Sequence, residues 1–106
     1  MDMPVDPRPA AAGSAEGDVV VRTATITNRR GLHARAAAKF VKLASQFEAQ
    51  VMVSKRGMEV SGLSIMGLMM LAAGPGCTIE LKATGADAHE AVDALGELID
   101  AKFDED

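Results

Sequence analysis

Val19-Val20-Val21-Arg22-Thr23-Ala24-Thr25-Ile26-Thr27, followed by Asn28-Arg29-Arg30-Gly31-Leu32-His33-Ala34-Arg35-Ala36-Ala37-Ala38, sets the pattern from which the rest of the chain is read. The first nine residues are β-branched almost throughout, and β-branched side chains fit a pleated, half-buried surface. Val19 to Thr27 therefore reads as a strand. Asn28-Arg29-Arg30-Gly31 is a turn, and a helix begins after it. Ala37, Phe40, Val41, Ala44 and Phe47 recur at steps of three and four, so one face of that helix packs inward. Arg35, Lys39 and Lys42 fall on its other side.

The remaining elements follow from the same two periodicities. Ala49 to Lys55 alternates, with Val51 and Val53 on one face, and reads as a half-buried strand. Arg56-Gly57 is a tight hairpin turn in which Gly57 supplies a positive φ, and Met58 to Ser61 returns as a short strand. Ser64 opens an apolar helix from Ile65 to Leu71, stopped by Gly74-Pro75-Gly76. Cys77 to Thr84 alternates again, with Cys77, Ile79, Leu81 and Ala83 inward. Asp87 reads as an N-cap, and Glu90 three residues later suggests a capping box. Ala88, Ala91, Val92, Leu95, Leu98, Ile99 and Phe103 then mark the buried face of a long last helix, which Gly96 weakens by about 1 kcal/mol relative to Ala. The order βαββαβα is met most economically by an α+β open-faced sandwich: a four-stranded, mostly antiparallel sheet with three helices on one face.

Composition narrows the function. The chain has 106 residues, which suits one small domain. Met1 to Gly17 carries Pro4, Pro7 and Pro9 among small residues and lacks a basic-then-apolar leader. Residues 1–17 are thus expected to form a flexible tail, and residues 18–106 the domain. With no Trp or Tyr and only 3 Phe, the core must be aliphatic and methionine-based. Cys77 is alone, which excludes an internal disulfide and suggests a reducing, cytoplasmic setting. Cys77, His33 and His89 do not match a zinc spacing, and no metal or organic cofactor is expected. His89, beside Asp87, reads as a solvated surface residue. No segment approaches the length of a membrane span.

The charge is uneven. The formal net charge is −4, yet no Asp or Glu occurs from Val19 to Phe47, where Arg22, Arg29, Arg30, Arg35, Lys39 and Lys42 lie. Acidic residues collect in the last helix and in Asp104-Glu105-Asp106. A local basic region on an acidic protein suits an anionic group or an acidic partner surface. His33 sits inside it, at the start of a helix. A helix start presents backbone N–H groups without intrahelical partners and the positive end of the peptide dipoles. A histidine there can attack phosphorus while neutral, and the same N–H groups and Arg35 then stabilise the phosphoryl charge. The structural alternative is an N-terminal histidine without chemistry. Ser64 has a comparable alternative, since a Ser before an apolar helix is usually only a cap.

Gly31-Leu32-His33-Ala34-Arg35 at the end of a first strand resembles the phosphorylation motif of the HPr family, the histidine phosphocarriers of the phosphoenolpyruvate-dependent phosphotransferase system. The resemblance covers about Val19 to Phe103 in the same element order. It implies an HPr-like fold with His33 as the pros-phosphohistidine intermediate, phosphorylated by enzyme I and discharged to an enzyme IIA, and with Arg35 assisting transfer. Such a protein is a phosphotransfer intermediate rather than a stand-alone enzyme, and a monomer is expected. The family's usual Pro after that Arg is Ala36 here, which keeps the helix possible but restores an N–H donor. Ser64 matches the Ser that HPr kinase/phosphorylase modifies, and a phosphate there would place negative charge on the docking surface.

Ser64 to Leu71 needs only Ile65, Leu68 and Leu71 inward, so Met66, Met69 and Met70 are surplus to a one-sided helix. Flexible methionines can fill a loose core or form an adaptable apolar patch. The second reading makes Arg35, Ile65, Met66, Met69 and Met70 the expected partner-binding residues. A rival function is a non-catalytic module that holds RNA or another polyanion on Arg29, Arg30, Arg35 and Lys39. The acidic net charge and the lack of aromatic residues near that cluster count against nucleic acid.

Overall fold

The computed structural model describes residues 19–105, so the tail expected at residues 1–17 lies outside the described residues. Four strands and three helices alternate in the expected order: β1 (Val19–Thr25), α1 (Ala34–Ala44), β2 (Gln50–Lys55), β3 (Met58–Ser61), α2 (Ile65–Met70), β4 (Thr78–Thr84) and α3 (Ala88–Asp100). A one-turn 3₁₀ segment, Lys102–Asp104, follows α3. The sheet order is β1-β4-β2-β3, and every pairing is antiparallel. Central β4 lies between β1 and β2, with Arg22 and Val53 both opposite Leu81.

Alternation in the strands becomes burial on one face. Val51, Val53, Ile79, Leu81 and Ala83 are buried, as is Ala24 of β1. The helices cover that face, with Phe40, Leu68, Leu95 and Ile99 fully enclosed in a single core. Arg56 and Gly57 both have positive φ, 52° and 86°, so the β2–β3 turn is of the two-residue type whose twist matches its strands. Among the described residues no helix is long and apolar enough to cross a membrane.

Three expectations from the sequence are corrected. Asp87 occupies the cap position of α3 without a side-chain cap hydrogen bond, so no capping box forms. Its carboxylate accepts instead from the backbone N–H groups of Glu48 (2.9 Å) and Ala49 (2.8 Å), tying α3 to the approach to β2. Ile65, expected inward, is 39% exposed, and Leu68 and Leu71 alone anchor α2. The last helix stops at Asp100 rather than running to Phe103. Lys102, Phe103 and Asp104 all take left-handed conformations, with φ of 58°, 54° and 61°. That turn drives Phe103 into the core, where it is fully buried.

Gly96 also has a role beyond its low helix propensity. A Cβ there would overlap the Arg22 guanidinium, which lies across α3 and reaches Asp93 (3.6 Å) and Asp100 (3.4 Å). Gly96→Ala should displace Arg22 toward solvent. The helix-propensity gain of about 1 kcal/mol then offsets two partly exposed ion pairs worth about 0–1 kcal/mol each. Urea denaturation is expected to show a net change below about 1 kcal/mol, with Arg22→Ala losing its effect in the Gly96→Ala background.

Candidate active site

The segment between β1 and α1 is fixed before it reaches His33. Gly31 has φ +67°, and its N–H donates to the Asn28 carbonyl at 3.2 Å. A Cβ at Gly31 would lie 2.6 Å from the Ala73 carbonyl oxygen and 2.8 Å from Gly74 Cα. Glycine is therefore needed twice, for conformation and for close approach. The Leu32 N–H donates to that same Ala73 carbonyl at 2.9 Å, and Leu32 is buried. The loop ahead of α1 is thus pinned to the loop that follows α2.

His33 is the N-cap residue of α1, in extended conformation, and its carbonyl accepts the first helical bond from Ala37 N–H at 2.8 Å. Its ring makes no cap hydrogen bond, so capping does not explain the side chain. The ring instead meets Glu105: Nε2 is 2.8 Å from Oε2 and 3.0 Å from Oε1. Asn28 completes the cluster. Its Nδ2 donates to Glu105 Oε1 at 3.0 Å and to the Gly31 carbonyl at 2.8 Å. Both partners are acceptors, which fixes the amide orientation and leaves the buried Oδ1 without a protein partner.

This network determines the state of the site. Hydrogen bonds from Asn28 and then His33 hold the Glu105 carboxyl below the usual carboxylate range, with the charges of His33 and Arg30 adding and burial opposing. An ionised carboxylate only accepts, so the shared proton belongs to His33 Nε2. In the neutral ring Nδ1 is then the atom with a free lone pair. Arg35 is exposed in the first turn of α1, and with Arg30, His33 and Ala34 it lines an open depression. No acidic residue occurs in that first turn. The depression therefore offers helix N–H groups and two guanidinium side chains to an anion, beside the His33 ring.

The other residues singled out from the sequence fall into place differently. Lys39 is not among the residues lining the depression, and its Nζ donates to the Phe103 carbonyl at 2.6 Å. Ser64 caps α2, with Oγ accepting from the Gly67 N–H at 2.9 Å. Gly67 is partly buried against it, since a Cβ there would come within 3.0 Å of both Ser64 Oγ and Val60 Cβ. Met66, Met69 and Met70 are 74%, 43% and 66% exposed, which makes them an apolar surface and not core filling. Leu63, just before α2, is 58% exposed as well and was not expected from the sequence. Asn28 and Glu105 were also missed, because one looks like an ordinary turn residue and the other like part of a solvated acidic tail. Among the described residues no cluster of His, Cys, Asp and Glu could hold a metal ion.

The chain has clear relatives among known proteins. A family profile described as the PTS HPr component phosphorylation site matches residues 20–101. The phosphocarrier protein HPr of Cupriavidus necator is 52% identical over 84 residues, covering 79% of this chain and 94% of that protein. The phosphocarrier protein NPr of Shewanella violacea is 49% identical over 84 residues, covering 79% and 92%. Among solved structures, an HPr from Thermoanaerobacter tengcongensis superposes with a TM-score of 0.79 at 45% identity, covering 82% of this chain and 98% of its own.

Two outcomes follow from the site's construction. Gly31→Ala forces a side chain into backbone atoms at positive φ and should cost about 2 kcal/mol or more, measured by urea denaturation. Glu105 has a lowered pKa in the folded state, so its contribution to stability is present above the ordinary carboxylate range. It is lost as pH falls through the lowered value. The acid limb of the stability curve should accordingly be shallower in Glu105→Gln than in the wild-type chain.

Proposed function

The chain belongs to the HPr family of phosphocarrier proteins, and from that membership we propose that it carries its phosphoryl group on Nδ1 of His33. The observation that carries this reading is the placement of His33. One ring nitrogen is held by Glu105, and the ring stands at the N-terminus of α1 in a depression shared with Arg35. Enzyme I is the proposed donor and an enzyme IIA the acceptor. In the forward step the Nδ1 lone pair attacks phosphorus, and the bond to the donor breaks with its electron pair returning to the donor. Arg35 and the first-turn N–H groups neutralise charge on the transferring oxygens. Discharge reverses the same motion toward the acceptor, so the site must bind the phosphoryl group without trapping it.

Donor and acceptor share one surface in this reading. Ile65, Met66, Met69 and Met70 supply its apolar part and Arg35 its charge, and methionine side chains adapt to more than one partner shape. Ser64 lies at the edge of this surface. Phosphate transferred to its Oγ by HPr kinase/phosphorylase would add about two negative charges at the start of α2 and hinder docking of enzyme I. The proposed unit of function is residues 18–106, acting as a cytoplasmic monomer. The polyanion-binding reading is weakened by Lys39, which is committed to the Phe103 carbonyl.

Incubation with phosphoenolpyruvate and enzyme I should place one acid-labile, base-stable phosphate on His33, and His33→Ala should take up none. Arg35→Ala should still be labelled, but roughly 10- to 100-fold more slowly, as expected for loss of one cationic partner of the transferring group. Mass mapping and rapid-quench labelling read both outcomes. Labelling that persists in His33→Ala would remove the assignment.

A further inference from the structure

The profile match ends at residue 101, four positions before the carboxylate that holds the His33 ring. We infer that Glu105 is a positioning residue for phosphoryl transfer: its contact with Nε2 keeps the Nδ1 lone pair available and counters the positive charge the ring acquires when Nδ1 bonds phosphorus. The inference rests on His33 being the acceptor.

Several observations show that this contact is built into the fold. Glu105 is brought to His33 by three successive left-handed residues, none of them glycine. Such conformations are unfavourable for residues with a side chain and persist only where surrounding contacts over-determine them. Those contacts are present. Phe103 is fully buried, and its carbonyl accepts from Lys39 Nζ at 2.6 Å. The Asp104 N–H donates to Ala101 O at 2.9 Å and the Glu105 N–H to Lys102 O at 3.1 Å. The carboxylate itself is then aimed by the buried Asn28 amide. At 15% side-chain exposure, Glu105 is not a freely solvated tail residue.

The chemistry balances without a further reactant. Nδ1 donates its lone pair to phosphorus, the bond from phosphorus to the donor breaks, and the donor keeps that pair. The proton on Nε2 stays on the ring, which becomes positively charged. A carboxylate 2.8 Å from Nε2 opposes that charge. It lies across the ring from Nδ1, while Arg30 and Arg35 face the depression that receives the phosphoryl oxygens. Removing the carboxylate leaves Nε2 to water and lets the proton exchange between ring nitrogens.

The test uses the full chain and its Glu105→Ala and Glu105→Gln variants, with nitrogen-15-labelled histidine. In the wild-type chain a proton resonance coupled to Nε2 of His33 should be sheltered from exchange, and it should be lost in Glu105→Ala. The rate of phosphorylation by enzyme I should fall about fivefold, the effect of one hydrogen bond of ordinary strength. Glu105→Gln keeps an acceptor without its charge and should fall between the two, which also covers the case in which Glu105→Ala does not fold. A folded Glu105→Ala whose Nε2 resonance is unchanged, or whose phosphorylation is equally fast or faster, overturns the inference. So does a slower rate with the resonance intact, which would mark a purely structural role. A wild-type chain that shows the sheltered resonance but accepts no phosphate would instead defeat the assignment of His33 as acceptor.

Discussion

The Asn28 amide is fully buried and spends both of its N–H bonds around His33, one on the Gly31 carbonyl and one on the Glu105 carboxylate. The first bond shapes the turn that delivers His33 to the start of α1. The second fixes the group that holds the His33 ring. Sequence positions 28, 31, 33 and 105 are thereby joined through a single side chain. Burying an amide costs free energy unless its polar atoms are partnered, and here one oxygen is left without a protein partner.

Most of the architecture was legible because it depends on local periodicity. The alternation of Cys77 to Thr84 placed Ile79, Leu81 and Ala83 on the buried face, and the Ala37–Phe40–Ala44 stripe located the inner side of α1. Failures occurred where a long-range contact overrode a local preference. Asp87 and Glu90 have the spacing of a capping box, yet Asp87 gains more from the two backbone N–H groups near β2. Ile65 has the hydrophobicity of a core residue, but it opens the six-residue α2 and stays 39% exposed, while Leu68 one turn later is enclosed.

The candidate site shows the same division. His33 and Arg35 announce themselves through their spacing and the acid-free stretch around them. Glu105 does not, because the left-handed turn that redirects it contains no glycine and so leaves no mark in the sequence. Its burial is dictated instead by Phe103, two residues earlier, whose ring must enter the core. An acidic residue beside such an anchor can be structural even in a segment that composition alone would assign to solvent.

The β2–β3 turn offers a practical contrast with the packed turn that precedes α1. Gly57 has open space where a side chain would project, and Arg56 is exposed, so nothing packs on the hairpin tip. A short epitope inserted at this tip meets no packed neighbour, whereas a side chain placed at Gly57 itself is strained by the positive φ there. An optical or plasmon reporter carried on such an insertion would leave the enclosed faces of the sheet and helices as they are.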